Sequence, residues 1–337
     1  MRAFVPMDSL PPAPGNLGDV ESRRGIDFLE RTCIPYLCHA QNEDGGWGFQ
    51  RGSLSRVEST AWALLALREC VSILPQDNIE ERGVHFLERS QLQDGSWPSS
   101  PESHEGCWVT SLACWALLRQ ERVADSVVRG IDWLCNDRPG DAGLRWRLLQ
   151  RLHSNRQVSS QSSSYYGWSW TPKTASWVEP TSFALLVLRG SGPADTLPAG
   201  VKRRQQVAEA MLYNRMCPGG GWNCGNPMVY GVPGVPQISS TVWALLALRK
   251  HAERSENQQS VDWLEANWGR SQTPASLALA HIALGLYGRL DPSLGDSLRA
   301  AYSREGVLWR VPEVAWAALA FSGHQSWLAP VPGGKPS

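Results

Sequence analysis

Residues 82–87 have the sequence Arg-Gly-Val-His-Phe-Leu, and this chain of 337 residues contains related segments at three other places. They are Arg24-Gly25-Ile26-Asp27-Phe28-Leu29, Arg129-Gly130-Ile131-Asp132-Trp133-Leu134 and the weaker Gln259-Ser260-Val261-Asp262-Trp263-Leu264. Most copies precede a turn that contains glycine and tryptophan, at Asp44–Trp47, Asp94–Trp97 and Gly220–Trp222. Self-similarity at a period of roughly 50 residues indicates stacked units that bury their apolar faces against one another.

An apolar segment follows the turns and is nearly identical in two units, Ser59-Thr60-Ala61-Trp62-Ala63-Leu64-Leu65-Ala66-Leu67-Arg68 and Ser240-Thr241-Val242-Trp243-Ala244-Leu245-Leu246-Ala247-Leu248-Arg249. Such periodicity predicts six apolar helices, at about 58–69, 108–120, 179–189, 239–250, 274–287 and 313–322. Six more polar helices are predicted before them, at about 20–38, 78–91, 126–136, 201–216, 257–268 and 291–303. The sequence therefore predicts an all-α fold, an (α/α)6 toroid of six helical hairpins with the apolar helices inside.

The toroid is expected to form one domain over residues 19–325, with an insertion at about 137–177. Residues 1–18 are expected to form a flexible N-terminal tail, and residues 326–337 a C-terminal tail. The first residues lack the basic-then-apolar pattern of a secretory signal, and no apolar run reaches the roughly 18 residues that span a bilayer. The protein is therefore expected in the cytoplasm.

The composition excludes several classes of partner. Lys plus Arg and Asp plus Glu number 32 each, so no net charge favours binding to nucleic acid. The eight cysteines are sparse for a chain of this length, which is typical of reduced, buried thiols. The segments His104–Cys107 and Cys217–Cys224 lack the paired short spacing of a zinc site. No cofactor and no metal are predicted.

The repeat resembles the QW repeat of squalene–hopene cyclases and related terpene cyclases, which resemble protein prenyltransferase β subunits in fold. The copy that carries the resemblance best comprises Arg82, Gly83, Phe86, Leu87, Gln91, Gly95 and Trp97. The resemblance covers about residues 20–322. It implies a terpenoid cyclase or prenyltransferase-like protein that holds a long polyprenyl or terpenoid chain in the barrel.

The catalytic signature of that family is incomplete here. Class II terpene cyclases carry Asp-x-Asp-Asp-Thr-Ala at the start of an inner helix, where the central Asp protonates a double bond. The matching segment is Arg56-Val57-Glu58-Ser59-Thr60-Ala61, which keeps a carboxylate at the central position only. The Asp-x-Cys pair with which protein prenyltransferases bind zinc is absent from the sequence, so zinc-dependent prenyl transfer is not supported.

Glu58 and Glu179 are the candidate catalytic residues. Alignment of the helices puts both at the start of an inner helix, at the same end of the barrel. Burial and a second carboxylate nearby both raise the pKa of a carboxyl group, as protonation of an alkene or epoxide requires. The alternative is structural, because a glutamate in the first turn stabilises a helix through its dipole.

The candidate substrate-binding residues are mainly aromatic: Trp62, Trp168, Trp170, Trp177, Trp243 and His281. Trp62 and Trp243 would face the lumen of the barrel, and Trp168, Trp170 and Trp177 would form a lid over the pocket or a surface for a partner. His281 would be an acid, a base or a ligand contact in the pocket. Plain packing in the barrel wall is the alternative for the tryptophans, and a hydrogen-bonded core histidine is the alternative for His281. The turn tryptophans Trp47, Trp97 and Trp222 are expected to pack between helices, as in the resembled family.

Two functions remain open at this point. The first is an enzyme that binds an isoprenoid and cyclises it by protonation. The second is a non-catalytic toroid, a subunit or scaffold that binds a hydrophobic ligand, a partner protein or the surface of a membrane. A third possibility is that the toroid resembles sugar-active α/α barrels, but only in shape. The enzyme interpretation needs both carboxylates to face a closed apolar cavity of about several hundred Å³, and it fails if side chains fill the barrel.

Overall fold

The computed structural model describes residues 17–70, 74, 78–120, 125–143, 164–192, 199–304, 308–323 and 326–329. Within these ranges the inner helices are Val57–Glu69, Val109–Arg119, Val178–Gly190, Ile238–Leu248, Pro274–Leu286 and Val311–Phe321. The first outer helix is Leu17–Phe28, continued by a π-helical turn, Leu29–Cys33, and by Ile34–His39. The other outer helices are Ile79–Arg89, Asp125–Asn136, Ala199–Asn214, Ser255–Asn267 and Pro292–Tyr302.

The inner helices form a closed ring. Each packs against the inner helices before and after it, and the sixth packs against the first. From the second unit on, each outer helix packs against the inner helix of the preceding unit, and the first outer helix packs against the sixth inner helix. Most residues of the inner helices are fully buried, because neighbouring helices cover them on several sides. The predicted all-α toroid is therefore confirmed.

Three turn tryptophans, Trp47, Trp97 and Trp222, each bind an outer helix to the following inner helix. Their side chains are fully buried, and their indole N–H groups donate to carbonyl oxygens of the preceding outer helix: Trp47 to Leu37, Trp97 to Leu87 and Trp222 to Leu212, each at 2.7 Å. Their backbone N–H groups donate to threonine hydroxyls of the following inner helix: Thr60, Thr110 and Thr241, each at 2.9 Å. The expectation that these tryptophans pack between helices is confirmed.

Glycines allow each turn to pack against the next unit. Gly95 has a φ of +89°, and a Cβ atom there would lie 2.7 Å from the carbonyl oxygen of Arg129. A Cβ atom on Gly83 would lie 2.7 Å from the ring of Trp47. In two repeats, the Arg-Gly pair is thus the surface on which the preceding turn packs: Arg82-Gly83 for the turn of Trp47 and Arg129-Gly130 for that of Trp97.

Replacing Gly83 with Ala is expected to destabilise the fold by about 1–3 kcal/mol, because the new methyl group overpacks the contact with Trp47. Gly200→Ala is the matched control, since nothing lies within 4 Å of a Cβ atom at that helical position. Urea unfolding measures both. Equal midpoints for the two variants would show that the contact of Gly83 with Trp47 contributes nothing to stability.

The predicted domain boundaries differ from the structure at both ends. The first helix begins at Leu17, and residues 1–16 lie outside the described residues. Residues 326–328, expected in the C-terminal tail, form a 3-10 turn in which Trp327 stacks on Trp115 at 5.2 Å. The indole N–H of Trp115 donates to the carbonyl oxygen of Trp327 at 2.9 Å, which holds the turn against the barrel. Of the predicted insertion, residues 144–163 lie outside the described residues.

Candidate active site

Glu58 and Glu179 lie at one end of the barrel, in equivalent places. Each precedes by two residues the threonine that accepts a hydrogen bond from a backbone N–H: Thr60 from Trp47 and Thr181 from Trp168. This bond fixes how the inner helix is rotated, so both side chains point the same way. Trp108 and Ser239 hold the same position before Thr110 and Thr241. We call these four residues, Glu58, Trp108, Glu179 and Ser239, the mouth.

The two carboxyl groups of the mouth differ in acidity. Burial raises the pKa of Glu58 to about 7; the charge of Arg56 lowers this pKa and that of Glu179 raises it further. Burial also raises the pKa of Glu179, but hydrogen bonds from Ser239 and Ser240 favour its ionised form. The Ser240 hydroxyl donates to Oε1 of Glu179 at 3.1 Å. The serine hydrogen bonds thus lower the pKa of Glu179, whereas the charge of Glu179 raises that of Glu58, which lies near neutral pH.

Aromatic rings fill the barrel directly beneath the mouth. Trp62, Phe183 and Trp243 each lie four residues after a residue of the mouth, which places them on the same face about one helical turn deeper. The ring of Trp62 lies within 6.0 Å of four others: Trp243 at 5.1 Å, Trp316 at 5.6 Å, Trp115 at 5.8 Å and Phe183 at 6.0 Å. We call Trp62, Phe183, Trp243 and Trp316 the aromatic floor.

The aromatic floor does not agree with the expectation that a long isoprenoid chain is held in the barrel. Trp62 is 0 % exposed and Trp243 is 2 % exposed, so neither lines an open channel. A long chain held along the barrel axis does not fit this packing, because the rings meet where the chain would pass. The filled barrel therefore does not supply the apolar cavity that the enzyme interpretation needs, and a ligand would have to approach Glu58 and Glu179 from the end of the barrel at which they lie.

Trp108, a residue of the mouth, forms an aromatic wall with Trp170. Trp108 stacks on Phe183 with ring centroids 5.5 Å apart and meets the edge of Trp170 at 4.8 Å. Both tryptophans are partly exposed. Trp177 is also partly exposed and immediately precedes the third inner helix, one residue before Val178. The sequence did not single out Trp108, although its position two residues before Thr110 matches that of Glu58 before Thr60.

Two of the candidate ligand-binding residues lie apart from the mouth. Trp168 is 2 % exposed and donates its indole N–H to the carbonyl oxygen of Leu134 at 3.0 Å, as the turn tryptophans do in their units. His281 packs against Phe321 at 5.3 Å, and burial together with the charge of Arg299 lowers its pKa to about 4. These contacts place Trp168 among the outer helices and His281 near the end of the sixth inner helix. Neither is part of the site proposed below.

A buried ion pair supports the segment that precedes Glu179, and the sequence analysis missed it. Arg215 donates to Asp141 at 2.9 Å, and both side chains are buried. The other bonds of Asp141 come from Ser176, from the backbone N–H at 3.1 Å and from the hydroxyl at 2.8 Å. Because Ser176 precedes Trp177 and the third inner helix, the pair fixes where this helix begins. The pair joins residues 74 positions apart, so no local pattern reveals it.

The described residues line two surface cavities, and Val57, the residue before Glu58, contributes to the first. One of about 410 Å³ is lined by residues that include Phe86, Arg89 and His104. Another of about 460 Å³ is lined by residues that include Arg249, Lys250 and Tyr287. Glu58 and Glu179 line neither cavity.

Glu58→Gln is expected to stabilise the protein above about pH 7 and to leave its stability near pH 4 unchanged. The pKa of Glu58 is about 7 in the folded protein and about 4.5 when unfolded, so folding favours the protonated form. Stability is therefore lost as the pH rises from about 4.5 to about 7, by up to about 3 kcal/mol at about 1.4 kcal/mol per tenfold change in acidity. Urea unfolding at pH 4 and at pH 8 measures the effect.

Glu313→Gln is the comparison for this experiment, and a smaller effect is expected: burial also raises the pKa of Glu313, but Arg310, bonded to it at 3.3 Å, favours its ionised form. A Glu58→Gln variant that is less stable than the wild type at pH 8 would show that Glu58 acts as a helix-stabilising charge.

The described ranges contain no helix long and apolar enough to cross a membrane. In the same part of the chain, no group of three or more His, Cys, Asp or Glu side chains is arranged to hold a metal ion.

Comparisons with known proteins agree with the fold and the repeat. Residues 17–108 match the family described as squalene-hopene cyclase C-terminal domain. A squalene–hopene cyclase of Zymomonas mobilis is 30 % identical over 132 residues, which are 34 % of this chain and 20 % of the relative. This chain thus spans about a fifth of the length of that relative. The sequence similarity to squalene–hopene cyclases thus covers part of the chain, and the toroid fold agrees with it.

Solved structures share the fold at low identity. A type II terpene cyclase of Scytonema, MstE, in complex with its substrate geranylgeranyl dihydroxybenzoate, has a TM-score of 0.56 at 12 % identity and covers 90 % of this chain and 97 % of its own. A reducing-end-xylose releasing exo-oligoxylanase has a TM-score of 0.54 at 11 % identity, covering 92 % and 94 %. The fold by itself therefore does not separate a terpene cyclase from a sugar-active barrel, and the function has to be argued from the site.

Proposed function

We propose that this protein is an isoprenoid cyclase of the protonating type, and that it works at the mouth of the toroid with Glu58 as the acid. The observation that carries the proposal is the placement of two carboxyl groups, Glu58 and Glu179, at the rim of an aromatic floor. Structural carboxylates are usually exposed or paired with a cation, whereas burial raises the pKa of both of these, and the charge of Glu179 raises that of Glu58 further, against the larger, opposite effect of Arg56. Such an arrangement destabilises the fold, which favours a functional reason for it.

The relatives support the choice of substrate class. The Scytonema cyclase binds a geranylgeranyl compound, and the Zymomonas relative is a squalene–hopene cyclase. Aromatic rings lie next to the mouth, with Trp108 against Phe183 and Trp170, and such rings suit a hydrocarbon ligand.

The reaction begins with transfer of the Glu58 carboxyl proton to the less substituted carbon of a terminal isoprenoid double bond. The two π electrons form the new C–H bond and leave a tertiary carbocation. A second double bond of the same chain attacks this cation and closes a ring. Loss of a proton from the ring cation to the carboxylate that Glu58 has become restores the acid, so the product is an isomer of the substrate.

The neighbouring groups have distinct roles. The charge of Glu179 raises the pKa of Glu58 and keeps its proton available at neutral pH. The faces of Trp62, Trp243, Trp108 and Phe183 supply negative electrostatic potential that stabilises a carbocation without reacting as a base. The aromatic wall also excludes water, which would otherwise capture the cation.

Incubation of the purified protein with linear isoprenoid alcohols tests the proposal. We expect a cyclic product with the same mass as the substrate, formed by the wild type and by Glu313→Gln. Recovery of unchanged linear alcohol from both proteins, under conditions in which the alcohols bind, would reject the cyclase.

A non-catalytic role is the second candidate, and an exposed apolar hairpin favours it. Met228–Val229 pairs with Val232–Pro233 around a turn at Tyr230, where φ is +50°. Tyr230 is 75 % exposed, Val232 66 % and Val235 78 %, and no charged residue occurs between Cys217 and Leu248. Such a surface suits a partner protein or a lipid membrane.

Tyr230→Ser combined with Val232→Ser tests this role. A hairpin that serves as the main binding surface predicts loss of binding to lipid vesicles or to a co-purified subunit, measured by sedimentation and native mass spectrometry. A double variant that binds as the wild type does would exclude the hairpin as that surface.

A further inference from the structure

We propose that the aromatic floor limits the ligand of the mouth to a short isoprenoid, and that Trp62 is the residue that sets this limit. The inference rests on the proposed function and deepens it, because it names the size of the substrate. It follows from where the floor lies along the barrel and from what lies beneath it.

The floor leaves a shallow site. The first inner helix has 13 residues and is therefore about 20 Å long, at 1.5 Å per residue. Trp62 lies four residues beyond Glu58, so the floor begins about 6 Å below the acid. Most of the barrel length is thus closed to a ligand whose reacting double bond lies at Glu58.

Trp62 occupies the centre of the floor. Its ring contacts aromatic side chains of the second, third, fourth and sixth inner helices, at centroid distances of 5.1–6.0 Å. Trp243 contacts Trp62, Phe183 and Trp316, and Phe183 contacts Trp62, Trp243 and Trp108. A smaller side chain at position 62 therefore opens the middle of the barrel, while a change at another position opens its edge.

The layer below the floor is apolar. Leu65, Leu186 and Leu246 lie three residues beyond Trp62, Phe183 and Trp243, and all three leucines are buried, at 0 %, 4 % and 0 % exposed. Trp115 lies beside Trp62 and is covered from the other side by Trp327. A space made by shortening Trp62 would be lined by hydrocarbon and would accept more of an isoprenoid chain, because an apolar cavity does not hold ordered water.

Dissociation constants for linear isoprenoid alcohols of two, three, four and six isoprene units test the inference. We expect the wild type to bind the two- and three-unit alcohols at least tenfold more tightly than the six-unit alcohol. Trp62→Leu is expected to shift this ratio at least tenfold in favour of the longer chains. Trp263→Leu is the matched control, because it makes the same change on the partly buried Trp263 of an outer helix.

The outcomes separate the inference from the proposed function. The inference is overturned if Trp62→Leu binds short chains with the same length preference as the wild type, or if the wild type binds all lengths equally. Neither result contradicts the cyclase proposal. Absence of binding at every length overturns the proposed function and the inference with it.

A second measurement does not depend on isoprenoid binding. Trp62→Ala is expected to create an apolar cavity, so that benzene raises the melting temperature of this variant and not that of the wild type. If benzene does not raise the melting temperature of Trp62→Ala, the neighbouring side chains have filled the space of the indole ring. That result contradicts the assignment of Trp62 as the residue that fills the centre of the barrel.

Discussion

Glu58→Gln is expected to lower the rate of isoprenoid cyclisation by about 10²–10⁴-fold, the range that a general acid contributes. Glutamine has nearly the same shape as glutamic acid but carries no acidic proton, so the variant still binds the substrate at the mouth. The expected change is therefore in the rate at saturating substrate, with little change in the affinity for the substrate. Initial rates of formation of the cyclic product measure it.

Glu313→Gln and Glu58→Asp complete this experiment. Glu313 begins the sixth inner helix and is paired with Arg310, so its replacement is expected to leave the rate unchanged. Glu58→Asp keeps a carboxylic acid but places it farther from the ligand. We expect its rate to lie between those of the wild type and of Glu58→Gln. If Glu58→Gln is as active as the wild type, Glu58 is not the acid.

Trp97→Ala is expected to destabilise the protein by about 3–5 kcal/mol, the range for removing a buried aromatic side chain. Trp97 is fully buried and donates its indole N–H to the carbonyl oxygen of Leu87. Its ring also packs against Gly130 of the third outer helix, so the variant loosens the contact between two units. The midpoint of urea unfolding, measured by circular dichroism, gives the loss.

Trp97→Phe serves as the comparison, because it keeps an aromatic ring and loses the donor. We expect about 1–3 kcal/mol of destabilisation, the cost of a buried carbonyl group that loses its hydrogen bond. If Trp97→Ala were no less stable than Trp97→Phe, the packing of the ring against the next unit would contribute nothing to the toroid.

The repeat made most of the fold predictable. Apolar runs such as Ser59–Arg68 and the Gly-Trp turns marked the inner helices to within a few residues, because a helix buried on several sides has to be apolar on several faces. The third unit was less clear, since no Asp-Gly-x-Trp turn precedes its inner helix. There the structure uses Trp168, which precedes Thr181 by 13 residues, as Trp47 precedes Thr60. That spacing was a usable signal.

The site was predictable only in part. The alignment that paired Glu58 with Glu179 came from the sequence, and the structure puts the two at the same level of the barrel. The filling of the barrel could not be predicted from the sequence. It depends on aromatic side chains from four other inner helices, which contact Trp62 across the central axis. The ion pair of Asp141 with Arg215 joins distant segments and has no local pattern.

The central claim is that the proton of Glu58 becomes part of the product, and mass spectrometry of the product formed in heavy water tests it most directly. A carboxyl group with a pKa of about 7 exchanges its proton with solvent between turnovers, so the account predicts one deuteron in each cyclised molecule made by the wild type. It also predicts that Glu58→Gln makes almost no product. A cyclic product without deuterium, or one formed equally fast by Glu58→Gln, would contradict the account.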